Sequence, residues 1–226
     1  MSNNITEKSI GAKVYLRQPV KTKILTPDDD IIEIVLNYTE GKRKKHDIII
    51  MSESPVAITQ GRAIPEKDIK IGILAKLLWR GVSKVPYGIG LRAKTSMQCA
   101  IDECGRIRII FAAIAGAVGK LFRIHGLFYR VAGKQAALID AAHTSPVPPY
   151  GGTVIKGPIH TDEICCKISE LTGNEAAIMD INDIGGSWVI GKSPGIDAKL
   201  LEMIMNDNPQ GQQLELTPLC LVWEKQ

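Results

Sequence analysis

Apolar and polar positions fall into blocks whose spacing switches between that of a strand and that of a helix, so the chain is expected to mix both elements. Val14 to Ile24 holds short apolar stretches broken by Lys21 and Lys23 and reads as a strand. Thr26-Pro27-Asp28-Asp29-Asp30 supplies a capping hydroxyl, a proline for the first helical position and acids for the positive helix end. A helix is therefore predicted from there through Ile31, Ile32, Ile34, Val35 and Leu36, ending at Gly41. Asp47 to Met51, with three successive isoleucines, suits a strand covered on both faces. Ser52 to Pro55 is read as a loop, followed by Val56 to Arg62, with Gly61 where a backbone can approach a ligand closely. Ile69, Ile73, Leu74, Leu77 and Leu78 have helical spacing and are assigned to packing. Pro86 to Leu91 is turn-rich, and Ile107 to Ile114 is strand or helix by periodicity alone.

The second half is more regular. Ala136 to Ile139 is an apolar run ending at Asp140, and a proline- and glycine-rich loop from Thr144 to Gly152 leads to a strand at Thr153 to Ile155. Thr161 is placed as the cap of a helix carrying Ile164, Cys165, Ile168 and Leu171 on one side, closed by Gly173. Ala176 to Met179 follows as a buried strand, completing a strand, helix, strand unit. Ser193-Pro194-Gly195 starts a last helix with Ile196, Leu200, Met203 and Ile204 inward, stopped by Asp207 to Gly211, and Leu214 to Trp223 supplies a final strand. With no internal repeat and no long linker, one intertwined unit is preferred over two separable domains.

Composition narrows the class. The 226 residues are long enough to bury a core, and 45% apolar content is ordinary for a soluble globule. A net charge of +4 is dispersed, and its densest run, Lys42-Arg43-Lys44-Lys45, lacks interleaved aromatics, so no nucleic-acid partner is expected. Five cysteines without a CxxC pair fit a reducing compartment, and the polar start shows no signal peptide, so a cytoplasmic protein is expected. The most hydrophobic window, Ile109 to Val118, is about half of a membrane span. Its small residues allow close packing, and it is assigned to core or subunit contact; an amphipathic, membrane-grazing role for Ile109 to Tyr129 is the minority reading, and membrane association is not expected.

The chemistry points to carboxylates and phosphate. Asp180 and Asp183 close one apolar run and open onto Gly185-Gly186, and Asp140 closes another. Strand-end carboxylates of this kind hold Mg2+ or Mn2+ while a nucleotide's phosphates supply the remaining oxygens, which makes Asp140, Asp180 and Asp183 the candidate metal ligands. Asp102 also follows a short apolar stretch, but Asp102 to Gly105 reads equally as a turn. Arg62 is placed either as a phosphate clamp or in a surface salt bridge. Lys94, Lys134, Lys156 and Lys192 each lie beside small or turn residues suited to phosphate. Gly61, Arg62, Ser145 and Lys156 are the candidate nucleotide-binding residues, and Arg62 and Asp183 the catalytic ones. His143 is read as a hydrogen-bonded loop histidine rather than a base, and Cys165 and Cys166 as buried thiols. Neither GxxxxGK[ST] nor a GxGxxG after a strand occurs.

Four segments carry a family resemblance. Thr26-Pro27-Asp28-Asp29-Asp30-Ile31-Ile32 is similar to an early Pro-Gly-Asp-Asp-Leu segment of the coenzyme F420-0:L-glutamate ligase (gamma-glutamyl ligase) family, and DIIIMSESPVAITQGR, Asp47 to Arg62, resembles its strand and following loop. ALIDAAHTSPVPPYGG, Ala137 to Gly152, resembles its Ala-Gly-Val-Asp-x-Ser-Asn segment, and AAIMDINDIGG, Ala176 to Gly186, its Ser-Asp-Thr-Phe-Gly strand. The resemblance implies an α+β, mixed-sheet fold in an intertwined two-lobed subunit, a single ligase-like domain over residues 15–223, and a homodimer. It further implies a GTP-dependent (alternatively ATP-dependent) ligase that needs Mg2+ or Mn2+. Such an enzyme adds an amino acid such as L-glutamate to a small-molecule carboxylate through an acyl phosphate, with Asp140 on the metal. Four positions depart from the pattern. Gln60 stands for a glutamate before Gly61-Arg62 and Ile58 for a lysine, Asn182 competes with Asp180 and Asp183 for the motif aspartate, and Gly185-Gly186-Ser187-Trp188 replaces Phe-Gly-Arg-Pro-Trp-Arg. A noncatalytic nucleotide- or metabolite-binding regulator is the alternative reading.

Overall fold

In the computed structural model, which describes residues 5–82, 90–183, 186–211 and 214–225, the chain divides into two units. Met1–Gly61 and Pro158–Gln226 make the first, and Arg62–Gly157, inserted between them, makes the second. The first unit opens with the hairpin β1 (Thr6–Ile10) and β2 (Lys13–Val20), followed by α1 (Ile31–Thr39), β3 (Ile48–Ser52) and α2 (Glu53–Thr59). The second unit contains β4 (Ala63–Pro65), α3 (Ile73–Leu78), α4 (Lys94–Cys104), α5 (Arg106–Leu121), α6 (Leu127–Ala132), α7 (Lys134–Ala137) and β5 (Thr153–Ile155). The chain then returns to the first unit as α8 (Thr161–Thr172), β6 (Glu175–Asn182), β7 (Gly186–Lys192), α9 (Ala198–Met205) and β8 (Leu219–Glu224). This is an α+β fold with a mixed sheet.

The six-stranded sheet of the first unit has the order β1-β2-β8-β3-β6-β7, and only β3 and β6 pair in parallel. Central position explains why β3 is apolar on both faces: Ile49, Ile50 and Met51 are all fully buried. On one face Ile50, Ala177, Met179, Cys220 and Val222 pack with Leu201, Ile204 and Met205 of α9. Strand alternation turns Ile49, Met51 and Ile178 to the other face, where α8 and α2 lie against β6. Each such side chain removed from water contributes roughly 1.5–3 kcal/mol. Arg17 of β2 is a buried cation held by Asp207, with a second bond from Nη1 to Ile204 O at 2.8 Å. The core of the second unit is built from Leu91, Met97, Ile101, Ile109, Phe128 and Ile139 with neighbouring alanines.

Several expected elements move. Helix α1 begins at Ile31 because Asp30, not Thr26, is its cap: the Asp30 carboxylate accepts from Ile32 N–H at 2.7 Å, whereas Asp29 binds back to Thr26 N–H at 2.8 Å. Ser52 to Pro55 is not a loop, since α2 starts at Glu53 and tolerates Pro55 in its first turn, where amides have no helical partner. Ile107 to Ile114 is helical within α5. In α8 Thr161 is not the cap; its hydroxyl donates to Ile190 O at 2.9 Å, while Gly173 closes the helix as expected. The strand, helix, strand unit does not form within one sheet, because β5 pairs with β4 and the parallel partner of β6 is β3. The last helix starts at Ala198 under an Asp197 cap. The turn-rich segment Pro86 to Ile89 and Gly185 lie outside the described residues.

Candidate functional site

Strand β5 organises the candidate site of the second unit through its two edges. Along one, Ala63 to Pro65 pair antiparallel with Thr153 to Ile155, and Lys156 N–H donates to Arg62 O at 3.1 Å. Along the other, Asp140 N–H donates to Ile155 O at 2.8 Å and Ile155 N–H returns a bond to Asp140 O at 3.1 Å. Backbone pairing thus brings Arg62 and Asp140, far apart in sequence, to the two edges of one short strand that runs directly into Lys156. Asp140 does not end a strand of its own: the preceding run is helical at Lys134–Ala137, and its β character is the single bridge to Ile155.

The two cations share one carboxylate. Arg62 Nη2 donates to Glu103 Oε1 at 2.5 Å, and Lys156 Nζ to Glu103 Oε2 at 3.2 Å. Arg62 Nε also donates to Gly157 O at 2.6 Å, which fixes the plane of the guanidinium. All three side chains are largely buried, so their mutual field is screened far less than at a surface. Burial pushes the Glu103 carboxyl up, but Arg62 and Lys156 outweigh it and hold the group below the ordinary carboxylate range. With two cations on one anion the trio carries a net positive charge, suited to a further oxyanion such as phosphate or carboxylate. Arg62 is therefore neither on the surface nor unpaired.

Glu103 was not among the sequence candidates. Asp102 to Gly105 reads equally as a turn in the sequence, yet Asp102 and Glu103 form the last turn of α4, where Asp102 is exposed and accepts from Gln98 Nε2 at 2.8 Å. Glu103 stands four residues after buried Cys99 and seven after buried Ser96, on the helix face that looks inward.

The other candidates are placed separately. Gly61 takes φ +68° with open space around a notional Cβ, so glycine is needed there for left-handed backbone rather than for close approach. Ser145 is half-buried in the loop after Asp140, its hydroxyl accepting from Val147 N–H at 3.3 Å. Asp180 lies in β6 opposite Trp188, and Asp183, in the turn after β6, accepts from Asn208 Nδ2 at 2.6 Å. His143 is exposed and stands 3.4 Å from Glu66. Lys94 Nζ sits 5.6 Å over the Trp79 ring, and Lys192 Nζ donates to Ile196 O at 2.9 Å. Burial pushes the Cys99 thiol up to about 11 and the Cys165 thiol up to about 12. Protonated thiols of that kind are inert.

Asp140, Asp180 and Asp183 offer hard oxygen donors of the kind Mg2+ and Mn2+ prefer. Among the described residues, however, no group of three or more His, Cys, Asp or Glu side chains is placed to hold a metal ion. Asp140 lies in the second unit and Asp180 and Asp183 in the first, and each alone is a carboxylate of the kind that can share an ion with substrate phosphates.

Against models of known families, residues 19–187 match F420-0:Gamma-glutamyl ligase. The chain belongs to the F420-0:Gamma-glutamyl ligase family. Among curated proteins no match is found. The family match is shorter than the 15–223 span of the resemblance: it takes in Arg62, Glu103, Asp140, Lys156, Asp180 and Asp183, and leaves out α9 and β8. It ends at Ser187, inside the Gly185-Gly186-Ser187-Trp188 segment. Membership in this ligase family supports a ligase-type role, and among the described residues no helix is long and apolar enough to cross a membrane.

Proposed function

We propose that this protein is an acid–amino-acid ligase that uses GTP, with ATP as the alternative, together with Mg2+ or Mn2+, and that residues 15–223 act as one ligase-like domain. The carrying observation is that Arg62 and Lys156, at one edge and the end of a strand whose other edge holds Asp140, share the largely buried Glu103 carboxylate of α4, in a chain of a ligase family. In the proposed reaction an oxygen of the acyl substrate's carboxylate attacks the γ-phosphorus, the bond to the β-phosphate oxygen breaks, and the nucleoside diphosphate leaves. The amine of an amino acid such as L-glutamate then attacks the acyl carbon, a C–N bond forms, the C–O bond to phosphate breaks, and the amine loses its proton. Arg62 and Lys156 offer donors to the oxygens on which charge accumulates during transfer. The bound cation would add charge neutralisation along the polyphosphate. Asp140 is its proposed ligand in the second unit, and Asp180 and Asp183 are the proposed carboxylates of the first, Asp183 with an assigned catalytic role. Gly61 and Ser145 are proposed to contact nucleotide through backbone and hydroxyl.

Gln60 favours a second reading. Its Nε2 donates to Ile159 O at 2.8 Å and its Oε1 accepts from Ile159 N–H at 2.9 Å, a pairing that a glutamate could satisfy only in part. The residue that replaces the family's acid thus serves the backbone and brings no carboxylate, and the loss of that charge is what motivates a protein that binds nucleotide without turning it over. Calorimetry with GTP and ATP in Mg2+ or Mn2+, followed by phosphate release against panels of acids and amines, separates the two. Metal-dependent binding with amine-dependent release is expected. Binding without release under every combination assigns the regulator, and no binding of either nucleotide removes both. A dimer is proposed on the resemblance and is checked by light scattering of the full chain.

A further inference from the structure

Helix α5 is more apolar outside than inside. Ile109, Ala112 and Gly119 face the core, whereas Ile107, Ile110, Phe111, Ile114, Val118 and Leu121 are exposed, with Ile107 at 74%, Phe111 at 61% and Leu121 at 78%. At 3.6 residues per turn these six fall within an arc of about 100°. Phe122 and Ile124 carry the exposed run into the following turn. The inner side packs closely: Ile109 and Ala112 are fully buried, and a Cβ at Gly116 would stand 3.2 Å from Phe128 Cβ. An ordinary surface helix shows the reverse polarity.

Charge specifies what covers this face. From Cys104 to Ile139 the chain carries Arg106, Arg108, Lys120, Arg123, Arg130 and Lys134, all exposed, and no Asp or Glu. Arg106 and Arg108 flank the stripe at the start of α5, and Lys120 and Arg123 lie at its end; Arg108 donates from Nε to Val131 O at 2.9 Å and Lys120 to Gly81 O, which leaves Arg106 and Arg123 as the bases the test addresses. Of the acids that precede this segment, Glu103 is already held by Arg62 and Lys156. Two copies of the stripe laid together would bring the arginines of each toward those of the other without a carboxylate from either segment, which opposes self-association. A layer of phosphates above hydrocarbon meets both features at once.

We propose that α5 is an interfacial helix that docks this protein on an anionic phospholipid surface. Its isoleucines and phenylalanines enter the acyl boundary while the flanking bases stay among the headgroups. With 16 residues the helix lies along the surface and does not span it. The proposal is independent of the ligase reading.

The full chain is sedimented with vesicles of phosphatidylcholine alone and of phosphatidylcholine mixed with phosphatidylglycerol. It is expected to pellet with the mixed vesicles, to stay in solution with the neutral ones, and to be released near 1 M salt, where the screening length falls to about 3 Å. Arg106→Ala and Arg123→Ala should each weaken partition about fivefold. The double variant Phe111→Glu, Ile114→Glu should abolish it while leaving circular dichroism and melting unchanged, because both side chains are exposed. A wild-type chain that ignores both vesicle types overturns the proposal. So does binding unaffected by the double variant, or a dimer in ultracentrifugation that the double variant dissociates while vesicles fail to capture it, since a second copy would then own the face.

Discussion

Replacing Glu103 by glutamine tests whether the site is held by charge. The substitution keeps the shape of the side chain and removes the anion shared by Arg62 and Lys156. Removing one partner of a fully buried ion pair costs about 3–5 kcal/mol. Here the three side chains keep 13%, 15% and 18% exposure, so solvent relieves part of that cost and about 2 kcal/mol is expected at neutral pH. For a chain of this size the melting temperature should fall by roughly 4–8 °C. The pH dependence separates charge from shape. Because the folded Glu103 carboxyl is held below its ordinary value, its contribution is complete above the unfolded value of about 4.3 and fades as pH falls through the folded one. Melting curves of wild type and Glu103→Gln at pH 7 should therefore differ fully, and those taken well below the ordinary carboxylate range should converge. A gap that is constant with pH, or one under about 1 °C at pH 7, would refute the electrostatic account.

Three further outcomes follow from the same geometry. Asn174 is buried and its Nδ2 donates to Lys44 O at 2.7 Å and Asp47 O at 3.0 Å, so Asn174→Ala should cost about 2 kcal/mol in urea unfolding. Cys99, Cys165 and Cys220, with thiols pushed by burial to about 11, 12 and 12, should react with a disulfide reagent at pH 8 only after denaturation; fast labelling of the native protein would contradict their burial. Asp140→Asn and Asp183→Asn should each weaken Mg2+-dependent nucleotide binding about tenfold or more, and the double variant should show less than the summed effect if one ion is shared. Full additivity in titration calorimetry assigns them to separate sites.

What the sequence discloses depends on whether the local pattern and the tertiary demand agree. Ile48 to Met51 and Thr153 to Ile155 are legible because short continuous apolar runs leave a strand little alternative, and Gly173 marks a helix end by its backbone alone. Strand β1 was missed because TEKSI has too few apolar positions to show its pairing with β2. Helix α4 is hard to see in the sequence because polar Thr95 and Ser96 are buried beside Met97, Cys99, Ala100 and Ile101 and break the apolar periodicity. That hides Glu103 too. Once 94–104 is a helix, Glu103 shares the inward face with Ser96 and Cys99, and an inward carboxylate requires a cation.

Helix α5 shows a different limit. Period 3.6 finds its stripe correctly, but a period defines a direction relative to the helix axis and carries no information about which way the molecule lies. The outward direction of the stripe follows from the packing behind it, where Ile109 and Ala112 join the core with Phe128, and where a Cβ added at Gly116 would stand 3.2 Å from Phe128 Cβ. The spacing of α5 is thus legible in the sequence, but the side that meets solvent is decided by which small residues, Ala112, Gly116 and Gly119, allow the rest of the second unit to pack closely against it.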